Sequence, residues 1–294
     1  MKLPRFNIVR SAFCTCLPKY NINPYLGRCT HGCIYCYAVK FPSFRGELKP
    51  RLDLKEKIEM MVANTKVKLP VMMSDSTDPY QPPEKKYEIT RKCLEVLTEH
   101  NFPVLIVTKS NLVVRDIDLL KRTPSVVSVT ITTPRKKLSR LLEPNAPSPE
   151  ERFGALEEIS GEGLPTVLRI DPIIPTLNSK LEDLELLVKR AAEAGVKQIT
   201  ASTMKPVKGF FKRFQKLVDE ETYRKVYSAY SGGIWISGYK YLRKELRARI
   251  LRNLKAIALS YGLEFATCRE GIPDLNTTVC DGTAYCRSLI EKYM

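Results

Sequence analysis

Long apolar stretches are missing from this sequence: none reaches 18 residues, and the first thirty residues lack an apolar run followed by a cleavage site. A membrane-spanning helix needs about 20 mainly apolar residues, so we expect no membrane span and no secretory signal. Repeats of fixed period and low-complexity linkers are also absent. The 294 residues therefore predict a cytoplasmic protein with one large core domain and extensions.

Histidine is scarce as well, with two residues against nine cysteines. An odd number of cysteines in a chain of this size does not suit a disulfide-stapled secreted scaffold. The cysteines also gather near the two ends of the chain. Metal or cluster ligation explains them better.

Negative charge is in short supply, and the formal net charge is +16. Residues 205–255 alone hold fourteen Lys and Arg against four acidic residues. Such a segment predicts a polyanionic partner, with nucleic acid ahead of an anionic membrane because no lipid-inserting element accompanies it. A solvated basic surface is the alternative.

Aromatic residues are interleaved with these cations and could stack on bases, although many of them could equally belong to a core. The period of Leu242, Leu246, Ile250, Leu254 and Ile257 predicts a packed helix face in the same segment. The better candidates for phosphate contact are Arg243, Lys244, Arg247 and Arg252.

Short β-rich runs alternate with amphipathic helical patterns between about residues 70 and 201. The predicted strands are 71–74, 104–108, 126–132, 166–170 and 196–201. The predicted helices are 83–100, 115–121, one from about 148, and 181–194 with Gly195 at its carboxyl end. This rhythm indicates a parallel sheet with covered faces, arranged as a full or partial (β/α) barrel. Residues 143–149, rich in proline, are expected to form an exposed loop.

Cys29, Cys33 and Cys36 lie in one short loop at spacings of four and three. Cysteine thiolates are the usual ligands of iron–sulfur clusters. Three protein ligands on a four-iron cluster leave one iron open to a small molecule. A zinc knuckle is the alternative, but the paired Cys-x-x-Cys units typical of such sites are absent.

This cysteine loop, followed by an aromatic residue, resembles the cluster loop of radical S-adenosylmethionine (SAM) enzymes. Segments 23–25, 76–82 and 108–110 are in addition similar to the branch that contains spore photoproduct lyase, and the resemblance covers roughly residues 21–270. It implies an α/β fold, a partial (β/α)6 radical SAM barrel with N- and C-terminal extensions. We place the extensions at 1–20 and 204–294 and the core barrel at 21–203.

The same resemblance implies a chemistry. A [4Fe–4S] cluster on Cys29, Cys33 and Cys36 would bind SAM and receive an electron from a donor such as ferredoxin or flavodoxin. Reductive cleavage of SAM would give a 5′-deoxyadenosyl radical that takes hydrogen from a substrate. The tyrosines of the loop, Tyr35 and Tyr37, match residues linked with hydrogen transfer in photoproduct lyases, although either could instead pack beside the cluster.

Polar residues near the ends of predicted strands are the candidates for SAM contact. They are Ser74, Asp75, Thr77, Lys109, Thr130 and Arg169. The resemblance places Ser74 and Lys109 at SAM-contacting positions, whereas Arg169 could simply pair with Asp171. One position departs from the lyases: Met73 stands where they carry a hydrogen-donating cysteine, and a thioether has no S–H to give.

A second set of cysteines lies outside the predicted barrel. It comprises Cys14, Cys16, Cys268, Cys280 and Cys286, while Cys93 falls in a helical pattern that suits the core. If the two ends of the chain meet, these thiols suffice for a second iron–sulfur cluster or a structural zinc. Unligated buried cysteines are the alternative.

The leading functional hypothesis is a radical SAM enzyme that acts on a nucleic-acid base, in DNA repair or RNA modification. The alternatives are radical SAM modification of a protein or peptide, and a non-enzymatic iron–sulfur or zinc protein that binds nucleic acid. The basic segment favours the first hypothesis over the second.

Overall fold

A parallel sheet organises the part of the chain that the structure, a computed structural model, describes: residues 1–6 and 13–286. The strands of the described residues are β1 (Tyr20–Ile22), β2 (Tyr25–Leu26), β3 (Lys49–Pro50), β4 (Val71–Met73), β5 (Val104–Thr108), β6 (Ser125–Thr130), β7 (Thr166–Ile173), β8 (Gln198–Thr203), β9 (Ile234–Ile236), β10 (Tyr239–Tyr241) and β11 (Glu264–Thr267). The main sheet has seven strands in the order β1-β4-β5-β6-β7-β8-β11. All its pairings are parallel.

Helices follow most of the strands, and several of them cover the outer face of the sheet. They are α1 (Leu54–Ala63), α2 (Glu84–Tyr87), α3 (Ile89–Glu99), α4 (Ile117–Leu120), α5 (Lys136–Leu142), α6 (Pro149–Gly161), α7 (Leu181–Glu193), α8 (Phe210–Phe214), α9 (Glu220–Ala229) and α10 (Lys244–Ser260). Short 3₁₀ turns occupy Ala38–Lys40, Pro42–Phe44, Asn111–Asp116, Pro273–Leu275 and Thr283–Cys286. The predicted partial (β/α)6 barrel is confirmed.

Successive side chains of each strand point to opposite faces of the sheet, and each face contributes to a different apolar core. Val104 and Ile106 of β5 pack against the helices in the large outer core. Leu105, between them, faces the inside of the barrel with Val126 and Val167. Leu17 and Tyr285 pack onto this inner cluster, so residues from both ends of the chain fill the barrel interior.

Local sequence explains where two of the helices begin or end. Ser148 and Glu151 form a capping box at the start of α6, with Pro149 in the first turn. Gly195, with φ of 76°, follows the carboxyl end of α7, as predicted. The predicted strands also match in position and order.

The predicted helix 83–100 is wrong in one respect, because Glu88 adopts a left-handed conformation with φ of 50° and splits it into α2 and α3. The Glu84 carboxylate accepts the backbone N–H groups of Thr90 and Arg91 at 3.0 and 3.3 Å. A carboxylate that caps the amino end of α3 stabilises a new helix start at that point.

The seventh strand, β11, lies within the segment predicted as the C-terminal extension and pairs with β8. The antiparallel pair of β9 and β10 forms a separate hairpin in the same segment. Residues 7–12 and 287–294, parts of the two predicted extensions, lie outside the described residues. The domain boundaries stay predictions.

Candidate active site

The cysteine loop follows β1 at the carboxyl end of the sheet. Its turns depend on glycine: Gly27 has φ of 76°, and a Cβ there would lie 1.8 Å from the Glu47 carbonyl oxygen. The Gly32 N–H donates to the Cys29 carbonyl at 3.3 Å, and the Cys36 N–H donates to the Cys33 carbonyl at 3.2 Å. These tight turns keep the three thiols within one short, partly buried loop.

Two neighbouring segments anchor this loop. The Gln81 side-chain oxygen, after β4, accepts the Thr30 N–H at 2.9 Å. From the end of α5, the Leu142 carbonyl accepts the Ile34 N–H at 3.0 Å. Just beyond, the Asn145 amide donates to the Thr30 carbonyl at 2.9 Å. The loop is therefore fixed from both sides before any cofactor binds.

Asp78 connects the cysteine loop to the end of β5. His31 Nε2 lies 3.2 Å from Asp78 Oδ2, and Asp78 also accepts the Thr108 hydroxyl at 2.6 Å and the Lys109 N–H at 2.7 Å. Burial opposes ionisation of Asp78, but His31 and these hydrogen bonds lower its pKa to about 2. Asp78 is thus a buried carboxylate held in its charged form.

Ser74, Asp75 and Thr77 lie together after β4, beside the loop. Ser74 has φ of 61°, and its N–H donates to the Ile22 carbonyl of β1 at 2.8 Å. The Thr77 hydroxyl donates to the Ser74 hydroxyl at 3.3 Å. Tyr37, next to Cys36, donates its hydroxyl to the Asp75 carbonyl at 2.8 Å. Ser74, Asp75 and Thr77, three of the predicted SAM contacts, therefore lie on the same side of the site as Tyr37.

Lys109 and Tyr35 meet on the other side of the loop. Lys109 Nζ lies 5.7 Å from the centre of the Tyr35 ring. The Tyr35 hydroxyl donates to the carboxylate of Glu143, which is 1% exposed. Residues 143–149 were expected to form an exposed loop. This expectation is wrong for Glu143 and for Pro149, which is buried at the start of α6.

A buried ion pair explains the position of Glu143. Arg152 of α6 lies 2.5 Å from its Oε2, and neither side chain is exposed. Arg152 also donates to the carbonyls of Thr130 and Pro147 at 2.9 and 2.8 Å. Burial alone would raise the pKa of Glu143, but the charges of Arg152 and Lys109 lower it. The sequence signal was weak, since Glu143 precedes a proline and reads as loop.

Thr130 and Arg169 lie deeper in the barrel, paired with each other in the register of β6 and β7. Arg169 donates to Asp171 at 2.8 Å and to the Cys280 carbonyl at 3.5 Å. Arg169 therefore lies beside the second cysteine set. It also pairs with Asp171, as one of the two readings of the sequence allowed.

The comparison with protein families decides the class of the site. The model described as "Radical SAM superfamily" matches residues 23–190, more than half of the chain. The chain belongs to the radical SAM superfamily. It is therefore an enzyme, and the non-enzymatic alternative is set aside.

Curated proteins share sequence with this chain, and one of them bears a radical SAM name. An uncharacterized protein of Methanocaldococcus jannaschii is 36% identical over 163 residues, 54% of this chain and 62% of the relative. A radical SAM Nα-GlyT isomerase of Pseudomonas phage M6 is 27% identical over 176 residues, 58% of this chain and 36% of the relative. The chain thus spans less than two thirds of the length of these relatives.

Two solved structures share the fold. A spore photoproduct lyase variant with bound AdoMet and dinucleoside spore photoproduct has a TM-score of 0.66 and 16% identity, covering 88% of this chain and 80% of that one. SuiB of Streptococcus suis bound to S-adenosylmethionine has a TM-score of 0.56 and 16% identity, covering 85% and 50%. At these identities the likeness shows the fold alone.

The predicted cofactors, a [4Fe–4S] cluster and SAM, are those of this family. The residues present fit them, because Cys29, Cys33 and Cys36 of one anchored loop would supply three thiolate ligands and leave one iron open to SAM. When bound, the cluster would supply the electron for reductive cleavage of SAM. The roles of the individual SAM-contacting and tyrosine residues stay predictions.

Some cations of the basic segment, residues 205–255, pair with an acidic residue inside the protein and do not face solvent. Lys205 lies 2.7 Å and Arg247 3.2 Å from the carboxylate of Glu270, and Arg247 is 3% exposed. The expectation that Arg247 faces a polyanion is therefore wrong, whereas Arg243, Lys244 and Arg252 are exposed. Burial opposes the charge on Lys205, but Glu270 and Asp171 raise its pKa.

Most aromatics of this segment belong to cores. The buried ones are Phe210, Phe214, Tyr230, Tyr239 and Tyr241. Tyr227 and Trp235 are 49% and 54% exposed and could still stack on a base. The Tyr239 ring of the hairpin lies 6.3 Å from the Tyr37 ring, so the hairpin adjoins the cysteine loop.

Four of the five terminal cysteines come together. Cys16 Sγ lies 4.0 Å from Cys280 Sγ. Cys14 is two residues from Cys16 in the chain, and the backbones of Cys268 and Cys280 bond to Ala201 and Thr200, neighbouring residues of β8. Cys286 lies elsewhere, with its thiol 3.7 Å from the Pro124 carbonyl before β6. Within residues 1–6 and 13–286, no group of three or more His, Cys, Asp or Glu side chains, the loop and terminal cysteines included, is arranged so that it could hold a metal ion.

No helix in the described ranges is long and apolar enough to cross a membrane.

Proposed function

We propose that this radical SAM enzyme modifies or repairs a base in DNA or RNA. The observation that carries the proposal is a cationic surface on two helices that pack around the cysteine loop. The surface lies at the carboxyl end of the sheet, where ligands of such barrels bind.

Helices α5 and α8 share one apolar cluster with the loop. Leu138 and Leu142 of α5 and Phe210 and Phe214 of α8 are its buried members, and Ile34 and Tyr35 of the loop pack against them. A polyanion lying across α5 and α8 would therefore lie beside the predicted cluster.

The exposed side of both helices and their flanks is basic. It carries Lys136, Lys137, Arg140, Lys208, Lys212, Arg213 and Lys216, which we call the mouth cations. None of them takes part in a salt bridge within the described part of the chain, whereas exposed Arg224 and Lys225 of α9 pair with Glu220 and Glu221. Lysines and arginines without acidic partners remain available for phosphates.

The solved lyase supports the same class of substrate. That protein binds a dinucleoside spore photoproduct together with AdoMet. For the present chain, the proposal of a nucleic-acid substrate rests on the mouth cations. The sequence predicted only some of them, because Lys136, Lys137 and Arg140 lie outside the basic segment.

Salt-dependent binding tests the proposal. The cluster-loaded protein is titrated with labelled duplex DNA, single-stranded DNA and tRNA at several salt concentrations. Lys136→Ala/Lys137→Ala/Arg140→Ala and Lys212→Ala/Arg213→Ala/Lys216→Ala should each reduce the slope of log K against log salt by about 2 to 3, because each phosphate contact contributes about 0.7 to 0.9.

A matched control removes the same number of positive charges at a different place on the protein. Lys66, Arg122 and Lys197 are exposed and precede β4, β6 and β8. They therefore lie at the amino ends of the strands, opposite the mouth cations. The triple alanine variant at these positions should keep the wild-type slope. Equal slopes for all variants, or no binding to any nucleic acid at low salt, would contradict the proposal.

The substrate class is then separated by SAM cleavage. Nucleic-acid fractions should raise the yield of 5′-deoxyadenosine from the reduced enzyme, whereas a rise with protein fractions alone would favour the alternative of peptide modification.

Repair of a spore photoproduct is not the proposed reaction. Met73 is fully buried with Val71 in the outer core, between the sheet and the helices. Its thioether has no hydrogen to return and faces away from the barrel interior. Efficient repair of a spore photoproduct oligonucleotide would contradict this statement.

A further inference from the structure

We propose that Cys14, Cys16, Cys268 and Cys280 bind one tetrahedral metal ion, zinc, inside the barrel and apart from the SAM-cleaving cluster. These four residues are called the inner thiols. The proposal goes beyond the proposed function and is independent of the substrate.

The fold brings the inner thiols together from three distant segments. Cys14 and Cys16 lie on the stretch that leads into the edge strand β1. Cys268 directly follows β11, the other edge strand, and its N–H donates to the Ala201 carbonyl of β8 at 2.9 Å. The Cys280 carbonyl accepts the Thr200 hydroxyl at 2.9 Å. The group therefore joins the two edges of the open barrel.

The distance between sulfur atoms favours a single ion over a cluster. Sulfurs bound about 2.3 Å from a tetrahedral zinc lie about 3.8 Å from one another. The Cys16 and Cys280 sulfurs are 4.0 Å apart. A four-iron cluster places each cysteine on a different iron and needs wider spacing.

Backbone contacts place the other two inner thiols near the pair of Cys16 and Cys280. Cys14 precedes Cys16 by two residues, and Cys268 and Cys280 bond through their backbones to Ala201 and Thr200, neighbouring residues of β8. Metal binding requires that the thiols lose their protons and turn toward one centre. The same change is needed at the loop cysteines, whose side chains do not enclose a metal position either.

Buried cations supply what a thiolate site requires around it. Four thiolates on a divalent ion carry a net charge of −2, which needs nearby positive charge or hydrogen-bond donors. Lys19, three residues after Cys16, is 2% exposed, and its ammonium pairs with Asp281. Arg169 donates to the Cys280 carbonyl at 3.5 Å. The Thr15 hydroxyl donates to Cys280 Sγ at 3.7 Å.

Metal analysis tests the proposal on the full-length chain purified without oxygen. The background is Cys29→Ala/Cys33→Ala/Cys36→Ala, which removes the loop ligands, so any remaining metal belongs elsewhere. This protein should contain about one zinc per chain, as one tetrahedral site requires. Adding Cys16→Ser/Cys280→Ser should remove it. The matched control, Cys93→Ser/Cys286→Ser, replaces two buried cysteines outside the group and should keep it.

A second measurement needs no variant of the inner thiols. A zinc chelator should lower the melting temperature of the background protein, and Co²⁺ bound in place of zinc should give thiolate-to-cobalt charge-transfer absorption with tetrahedral ligand-field bands. Protein without metal, a Cys16–Cys280 disulfide found by mass spectrometry, or about four irons per background chain would each overturn the proposal.

Discussion

His31 Nε2 lies 3.2 Å from Asp78 Oδ2, so a residue between the first two cluster cysteines contacts a carboxylate that also accepts hydrogen bonds from Thr108 and Lys109. Replacing Asp78 with Ala should leave buried donors unpaired, at a cost of about 1 to 3 kcal/mol for each. We expect the loop to lose its fixed shape and the variant to hold less than half of the wild-type iron after reconstitution.

Iron analysis and the melting temperature of the cluster-free protein check this prediction. Asp118 pairs with Arg91 at the surface and is half exposed, so Asp118→Ala is the matched control and should load normally. Wild-type iron content in the Asp78→Ala variant would show that the contact does not position the loop.

Lys109 should contribute to SAM binding, as the resemblance implies. Its ammonium lies beside the Tyr35 ring, next to the cysteine loop, where it can meet a carboxylate. Lys109→Met keeps the length of the side chain but removes the charge. Losing one charge-assisted hydrogen bond of about 1.5 to 3 kcal/mol should raise the Kd for SAM about tenfold to a hundredfold.

Equilibrium binding of SAM to the cluster-loaded variant measures this effect without turnover. Lys136→Met removes an exposed lysine of α5 and should leave the affinity unchanged. An unaltered Kd in Lys109→Met would place the SAM carboxylate elsewhere.

The buried pair of Glu143 and Arg152 should behave as one unit. Arg152→Met leaves a buried carboxylate without its partner, which should lower the free energy of unfolding of the cluster-free protein by about 3 to 5 kcal/mol. Glu143→Gln/Arg152→Met should recover part of this loss, because it removes the uncompensated charge. Urea unfolding of the two single variants and the double variant gives the coupling, and additive effects would contradict it.

The sequence predicted those parts of the molecule that depend on local pattern. The spacing of Cys29, Cys33 and Cys36 indicated the cluster loop, and the alternation of strands and helices indicated the barrel. The helix break at Glu88 was missed because it depends on the Glu84 carboxylate accepting N–H groups from the start of α3.

Contacts between distant residues were beyond prediction from one sequence. Counting charge placed Lys205 and Arg247 in a basic surface, but both pair with the carboxylate of Glu270, and Arg247 is buried. Composition likewise grouped Cys286 with the other terminal cysteines, although its thiol lies against the Pro124 carbonyl. Burial depends on the assembled fold, so it cannot be predicted by counting charges or cysteines.

SAM cleavage by the reduced, reconstituted protein tests the central claim most directly. The wild type should convert SAM to 5′-deoxyadenosine and methionine when supplied with a strong one-electron reductant, and Cys29→Ala/Cys33→Ala/Cys36→Ala should form none. Cleavage that persists in the triple variant, or wild-type protein with a full cluster that releases no 5′-deoxyadenosine, would contradict the account.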